Sequence, residues 1–162
     1  MREGIVETRD LIAKGAWGAG PWVGEPDRVE WRFAGFPCLM RRTPMGIWCG
    51  YVAVGEGHPW FEQRPDDIEA RAHGGLNYAD TCNASVCHVP RAGESDHVYW
   101  VGFDCGHGWD VLPGLEAQMR EALGREPYRL PGAVYRDQAY VMAQVDGLAR
   151  QALEAIAGLV GD

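Results

Sequence analysis

Glycine and proline punctuate this chain so densely that only its C-terminal end can carry a long helix. Most of the 22 glycines and 10 prolines fall between residues 15 and 132, and each marks a turn or interrupts a regular element. Before the C-terminus the chain must therefore make many tight turns and few long helices. After residue 132 the pattern changes. "YRDQAYVMAQVDGLARQALEAIAGLV" sets Val141, Val145, Leu148, Ala152 and Ile156 on one stripe at helical spacing. Asp137 supplies a carboxylate near the start of that helix.

"DRVEWRFAGFPCLMRRTPMGIWCGYVAVG" reads as strands. Val29, Trp31 and Phe33 alternate with charged residues, which predicts one buried and one wet face. Pro44 and Gly46 take the second and fourth places of the turn "TPMG", a hairpin signal. "HVYWVGFD" (97–104) is another apolar strand, and "GLNYA" a short one. "PGLEAQMREALG" predicts a shorter helix with Leu115, Met119 and Leu123 on one side and Gly124 as its stop. The expected fold class is α+β: a twisted, mostly antiparallel sheet of four or five strands with the C-terminal helix packed across it.

At 162 residues the chain suits one domain able to bury a sizeable core. Its expected parts are an N-terminal segment (1–27), the sheet with its motif loops (28–112) and a helical C-terminal part (113–162). The net charge of −8 argues against a nucleic-acid partner. No apolar run reaches the ~18 residues of a membrane span, and "MREGIVETRDLIAKGAWGAG" has no signal-type core, so a cytoplasmic location is expected. Cys38, Cys49, Cys82, Cys87 and Cys105 are then expected to be free thiols.

Three polar stretches lie at the ends of predicted strands: "GHPW" (57–60), "HGGLNY" (73–78) and "GFDCGHGWD" (102–110). Glycine beside a polar residue lets backbone approach a ligand closely, and loops held by a rigid sheet are where sites are built. If these loops gather at one edge, His58, His73, Asp104, His107 and Asp110 converge on one cavity. Gly74, Gly75, Asn77 and Trp109 would line it, with the Trp109 indole able to stack on a flat ligand. Each residue also has a structural reading: His58 as a turn cap before Pro59, His73 as part of a tight bend, the aspartates as acceptors for loop amides.

No cofactor is expected. Were a metal present, His73, Asp104, His107 and Asp110 would be its ligands, and a structural zinc would take Cys82, Cys87, Cys105 and a histidine. C-x4-C and C-x-H lack the paired C-x2-C knuckle of zinc modules. Cys105 and His107 offer a conceivable thiolate–imidazole pair. No G-x-S-x-G elbow, phosphate loop or dinucleotide fingerprint occurs in the required context.

The order "WCGYVAVGEGHPW … HGGLNYAD … CHVPRAGESDHVYWVGFDCGHGWD … YR…AYV" closely resembles a family of small uncharacterised phage and prophage proteins, over roughly residues 37–150. Members usually read H-G-G-L-T-Y, where this chain has Asn77. Their G-F-D-C-x-H-x-x-D segment is matched at Gly102, Phe103, Asp104, Cys105, His107 and Asp110. The resemblance implies a phage accessory protein rather than a virion building block, working in the cytoplasm of a bacterial host.

Three functions fit these features. The leading one is capture of a small, nucleotide-like host molecule in a His/Asp/Gly-lined pocket, a counter-defence sequestration with Arg41, Arg42, Arg71 or Arg136 to neutralise phosphate. The second is a His/Asp hydrolase, with or without a metal, acting on a similar molecule. The third is a protein-binding inhibitor of a host factor. A homo-oligomer is compatible with all three. Binding leads because neither a recognisable nucleophile nor a well-spaced ligand set is present.

Overall fold

The computed structural model describes residues 1–160. Six strands form one antiparallel sheet: β1 (Glu3–Thr8), β2 (Arg28–Phe33), β3 (Phe36–Arg42), β4 (Trp48–Gly55), β5 (Tyr78–Thr81) and β6 (Val98–Asp104). Their order across the sheet is β1-β2-β3-β4-β6-β5. Two helices follow, α1 (Pro113–Leu123) and α2 (Gln138–Val160), and α2 packs across β2, β3 and β4. The fold is α+β as the patterning predicts, with six strands rather than four or five. The strand that patterning misses is β1. It lies at the sheet edge with Ile5 and Val6 exposed, so no alternation marks it, and only backbone pairing with β2 makes it a strand.

The turn between β3 and β4 closes as the "TPMG" signal predicts: the Gly46 amide donates to the Thr43 carbonyl at 2.9 Å. Gly46 has φ +82°, and a Cβ there would sit 2.7 Å from the Pro113 ring, so this turn also seats the start of α1.

Side-chain parity divides the core in two. Val29, Trp31, Phe33, Cys38, Met40, Trp48, Val52, Val54, Val101 and Phe103 face α2, where they meet Val141, Val145, Leu148 and Ala152. Those four helix residues are fully buried, whereas Ile156 is 38% exposed, so the stripe leaves the sheet after Ala152. Asp137 accepts from the Tyr140 amide at 2.8 Å and caps the helix.

The opposite sheet face is not wet. Leu39, Cys49, Tyr51, Ala53, Val98 and Trp100 lie there with Val86, under the 82–97 segment. Arg28 donates to the Ser85 and Cys87 carbonyls, and Arg32 pairs with Glu94 at 2.6 Å. The charged residues of β2 hold a cover rather than face solvent. Within that cover Cys82 and Cys87 form a disulfide, which corrects the expectation of five free thiols. The pair flanks the Asn83–Val86 turn, whose mutual backbone bonds bring its ends together. Cys38, Cys49 and Cys105 are free and buried.

A buried ionic network anchors the start of α2. Arg42 pairs with Glu25 at 3.2 Å and Asp27 at 3.3 Å, and Lys14 reaches Asp27 at 2.9 Å. Burial pushes the Asp27 carboxyl up, but the hydrogen bonds and charges of Lys14, the Ile12 amide and Arg42 prevail and hold it below 3.8. Arg42 is thereby consumed by the fold and has no charge to spare for a phosphate.

Candidate functional site

Asp110 is a hub. It sits just past the glycine-rich end of β6, where His107–Asp110 forms a tight turn closed by the Asp110 amide on the His107 carbonyl. Its carboxylate is buried and accepts from four donors: His73 Nε2 at 2.9 Å, Arg136 Nε at 2.9 Å, and the backbone amide and ring Nδ1 of His107, each at 3.0 Å. Burial pushes this carboxyl up. The bonds from His73, from His107 and from Arg136 outweigh that cost and hold it below the ordinary value.

An ionised Asp110 accepts only, so both imidazoles must point an N–H at it. For His73 this leaves Nδ1 as an acceptor, and the Tyr140 hydroxyl of α2 donates to it at 2.8 Å. His73 is therefore fully used. For His107 the carboxylate fixes Nδ1–H, and Nε2 has no hydrogen-bond partner among the described residues. The His107 ring lies flat against the half-exposed Trp109 indole, centroids 4.6 Å apart and planes within 5°. On another side it meets Gly74. A Cβ at residue 74 would stand 2.3 Å from His107 Cε1, and φ there is +70°, so the "HGG" bend admits the imidazole only because residue 74 is glycine.

His107, Gly108 and Asp110 open onto a cleft of about 230 Å³. Its other walls are Leu115, Glu116 and Met119 of α1 and the 127–133 loop, including Tyr128, Arg129 and Leu130. Of the apolar side foreseen for α1, Leu115 and Met119 face this cleft and Leu123 is exposed, while Gly114 and Glu116 make the buried contacts. Arg129 grips Glu116 through two bonds of 2.5 and 2.6 Å. Larger hollows of about 540 and 330 Å³ lie elsewhere, flanking His88 and Glu94.

The predicted cluster divides three ways. His73, His107 and Asp110 meet, with Gly74 and Trp109 around them. Asp104 belongs to another face: it shares strand parity with Trp100 and Gly102, its carboxylate takes the Gly106 amide at 2.9 Å, and Asn77 bonds it. Gly75 makes the bend with φ +87°, and a Cβ there would meet open space. His58 stands apart. Its Nε2 donates to the Ala152 carbonyl at 2.8 Å and its Nδ1 accepts the Trp60 amide at 3.0 Å. Ala152 lies twelve positions along α2 from Tyr140, ~18 Å at the helical rise. His58 is a buried clip between the GHPW turn and the helix.

Tyr140 was missed, and Arg136 was foreseen as a neutraliser of phosphate rather than as a partner of Asp110. Both lie in the "YR…AYV" stretch, and the Arg136 guanidinium also sits over the Tyr140 ring at 4.9 Å. Their signal was an aromatic and a cation flanking a helix start, which carries no chemistry until the hub is seen.

The donor set can be tested against a metal. One ligand atom each from His73, His107 and Asp110 lies within 4.8 Å of the others. Yet the inward nitrogens are those that donate to Asp110, and Arg136 places a positive charge on the same carboxylate. A cation on those nitrogens would displace both imidazole bonds to Asp110 and meet that charge. Asp104, expected as a fourth ligand, is on the other face. Cys105 is no nucleophile either: it is buried on the α2 side, and burial pushes its thiol far above the thiolate range. That position also removes it from the expected zinc set with Cys82 and Cys87.

Comparison of the chain with protein-family models, curated proteins and solved structures finds no match. No helix among the described residues is long and apolar enough to cross a membrane.

Proposed function

We propose that the protein captures a small, flat, weakly charged molecule, nucleobase-like in size and polarity, at the His107 cleft. The observation that supports this reading best is the unequal state of the two ring nitrogens of His107. Asp110 immobilises one, and the other bonds no described residue and lies along the Gly74 side of the ring, where residue 74 has no side chain to cover it. A small ring in the cleft would set its apolar edge on Leu115 and Met119 and its polar edge toward the His107 ring, which the Trp109 indole backs. The cleft falls below the ~300–1,000 Å³ usual for drug-sized ligands, so it suits a single ring system rather than a dinucleotide.

The nucleotide-like ligand expected from sequence is narrowed to its base portion. Arg42 and Arg136 are spent on carboxylates, and Arg129, at the cleft, is held by Glu116. Phosphate would find no unpaired guanidinium among them, and Arg41 and Arg71, the other two candidates, do not line the cleft. Sequestration of such a molecule is the kind of counter-defence step that suits the phage accessory role implied by the resemblance. A second reading is kept because a carboxylate-oriented imidazole is also the geometry of a general base, able to activate water in a hydrolysis.

One experiment decides between them. The full chain is incubated with nucleobases, nucleosides and cyclic nucleotides, then filtered, and the retained ligand is released by heat for mass spectrometry. An intact ligand retained by the wild type and lost in His107→Ala supports capture. A chemically altered ligand supports hydrolysis. Equal retention by His107→Ala, or depletion of no member of the panel, overturns both.

A further inference from the structure

The disulfide in the cover of the second sheet face has a neighbour that the fold leaves unused. His88 follows Cys87 directly, and its side chain is only 10% exposed. Neither of its ring nitrogens has a hydrogen-bond partner among the described residues. The nearest carboxylate oxygen, on Glu94, is 3.9 Å away, too far for a hydrogen bond. A buried imidazole with two orphaned nitrogens is costly unless something occupies it. One ring nitrogen and the Cys82 and Cys87 sulfurs lie within 4.8 Å of one another.

We propose that Cys82, Cys87 and His88 form a zinc site that exists only when the Cys82–Cys87 disulfide is reduced. A dithiol gives two electrons and two protons: the S–S bond breaks, both cysteines become thiols, and the dithiol leaves as its own disulfide. Zinc then displaces the two thiol protons to solvent and takes two thiolates, one His88 nitrogen and a water in tetrahedral array. Two thiolates and an imidazole are the donor set zinc prefers over harder cations. Hollows of about 330 and 540 Å³ border His88 on the sides away from the sulfurs, so the ring has room to turn toward an ion. Either cross-link, disulfide or zinc, keeps Val86 and the rest of the cover on Trp100, so the second core stays closed in both redox conditions. Arg28, which bonds the Ser85 and Cys87 carbonyls, holds the segment in place during the exchange.

The test uses the full chain, fully oxidised or reduced without oxygen, titrated with zinc alone against a chromophoric chelator and with cobalt(II) as a spectroscopic probe. The expected result is one equivalent bound by the reduced protein, with thiolate-to-cobalt charge-transfer absorption, and none by the oxidised one. His88→Ala should weaken binding more than about tenfold, Cys82→Ser should abolish the charge-transfer band, and Cys105→Ser should leave both unchanged. Zinc should also raise the melting temperature of the reduced wild type and not that of the oxidised form. No zinc uptake by the reduced protein overturns the proposal, as does cobalt binding that survives Cys82→Ser or is lost in Cys105→Ser. Should a variant fail to fold, the wild-type comparison of the two redox forms still decides.

Discussion

Two adjacent glycines separate a packing requirement from a backbone one. Gly74 and Gly75 both have positive φ, but only at Gly74 would a Cβ strike the His107 ring. Gly75→Ala should cost about 1 kcal/mol of left-handed strain and leave capture intact. Gly74→Ala should add a clash that expels His107 from its place against Asp110, costing about 2–3 kcal/mol and the ligand with it. Equal loss of capture in both variants would mean that the bend, and not the imidazole, makes the site. A second residue-level contrast concerns the histidines. His58→Ala should lower stability by about 2 kcal/mol, through an unpaired Ala152 carbonyl and an emptied space between Phe36 and Trp60, with binding per folded molecule unchanged. His107→Ala should abolish binding and cost about 1–2 kcal/mol, since it removes one of the donors to the buried Asp110 carboxylate while the backbone amide keeps its own. Chemical denaturation beside ligand retention measures both.

At the scale of elements, α2 is the lid of the first core and the support of the site at once. Its Tyr140 holds His73 while Val141, Val145, Leu148 and Ala152 seal the sheet. Leu148→Ala should cost about 2–5 kcal/mol, and Ile156→Ala less than about 1, because the stripe has left the sheet by residue 156. Removing residues 137–162 uncovers Val52, Val101 and Phe103 and should make the chain insoluble. A truncated protein that still melts cooperatively would show that the helix is an appendage. The periodicity of α2 and the β3–β4 turn were legible in sequence because both arise from local geometry. β1 was not, since an exposed edge strand has no buried face to write an alternation.

For the whole molecule, acidification should act in two steps. Burial holds the His58 and His88 imidazoles below the ordinary value of 6.5. A depressed histidine stabilises the fold fully above 6.5 and loses that contribution as pH falls through its lower folded value. Asp27 and Asp110 are held below 3.8, so their contributions persist until the pH drops beneath that range. The melting temperature should therefore decline as pH falls below 6.5, then fall steeply below 3.8. Replacing Asp110 by Asn should flatten the acid limb and cost about 3–5 kcal/mol at neutral pH, by leaving Arg136 and an imidazole without their carboxylate. A melting temperature constant from pH 7 to 5 would contradict the first step.

By itself the sequence determined the class of fold, the helix that covers the sheet and the loops in which the ionisable residues stand. Those follow from periodicity and turn chemistry, which act within a few residues. Tertiary structure alone decided which of those residues meet. Asp104 and Asp110 are six positions apart and the same residue type, yet one lies at strand parity with Trp100 and the other past the strand end, beside Arg136. His58 and His73 look alike beside their glycines, and one clips the far end of α2 while the other is locked by its first turn. The Cys82–Cys87 bond and the cover over the charged side of β2 were equally hidden. Each depends on where a long-range partner places an atom, and a one-residue change of register reverses the face a strand residue shows.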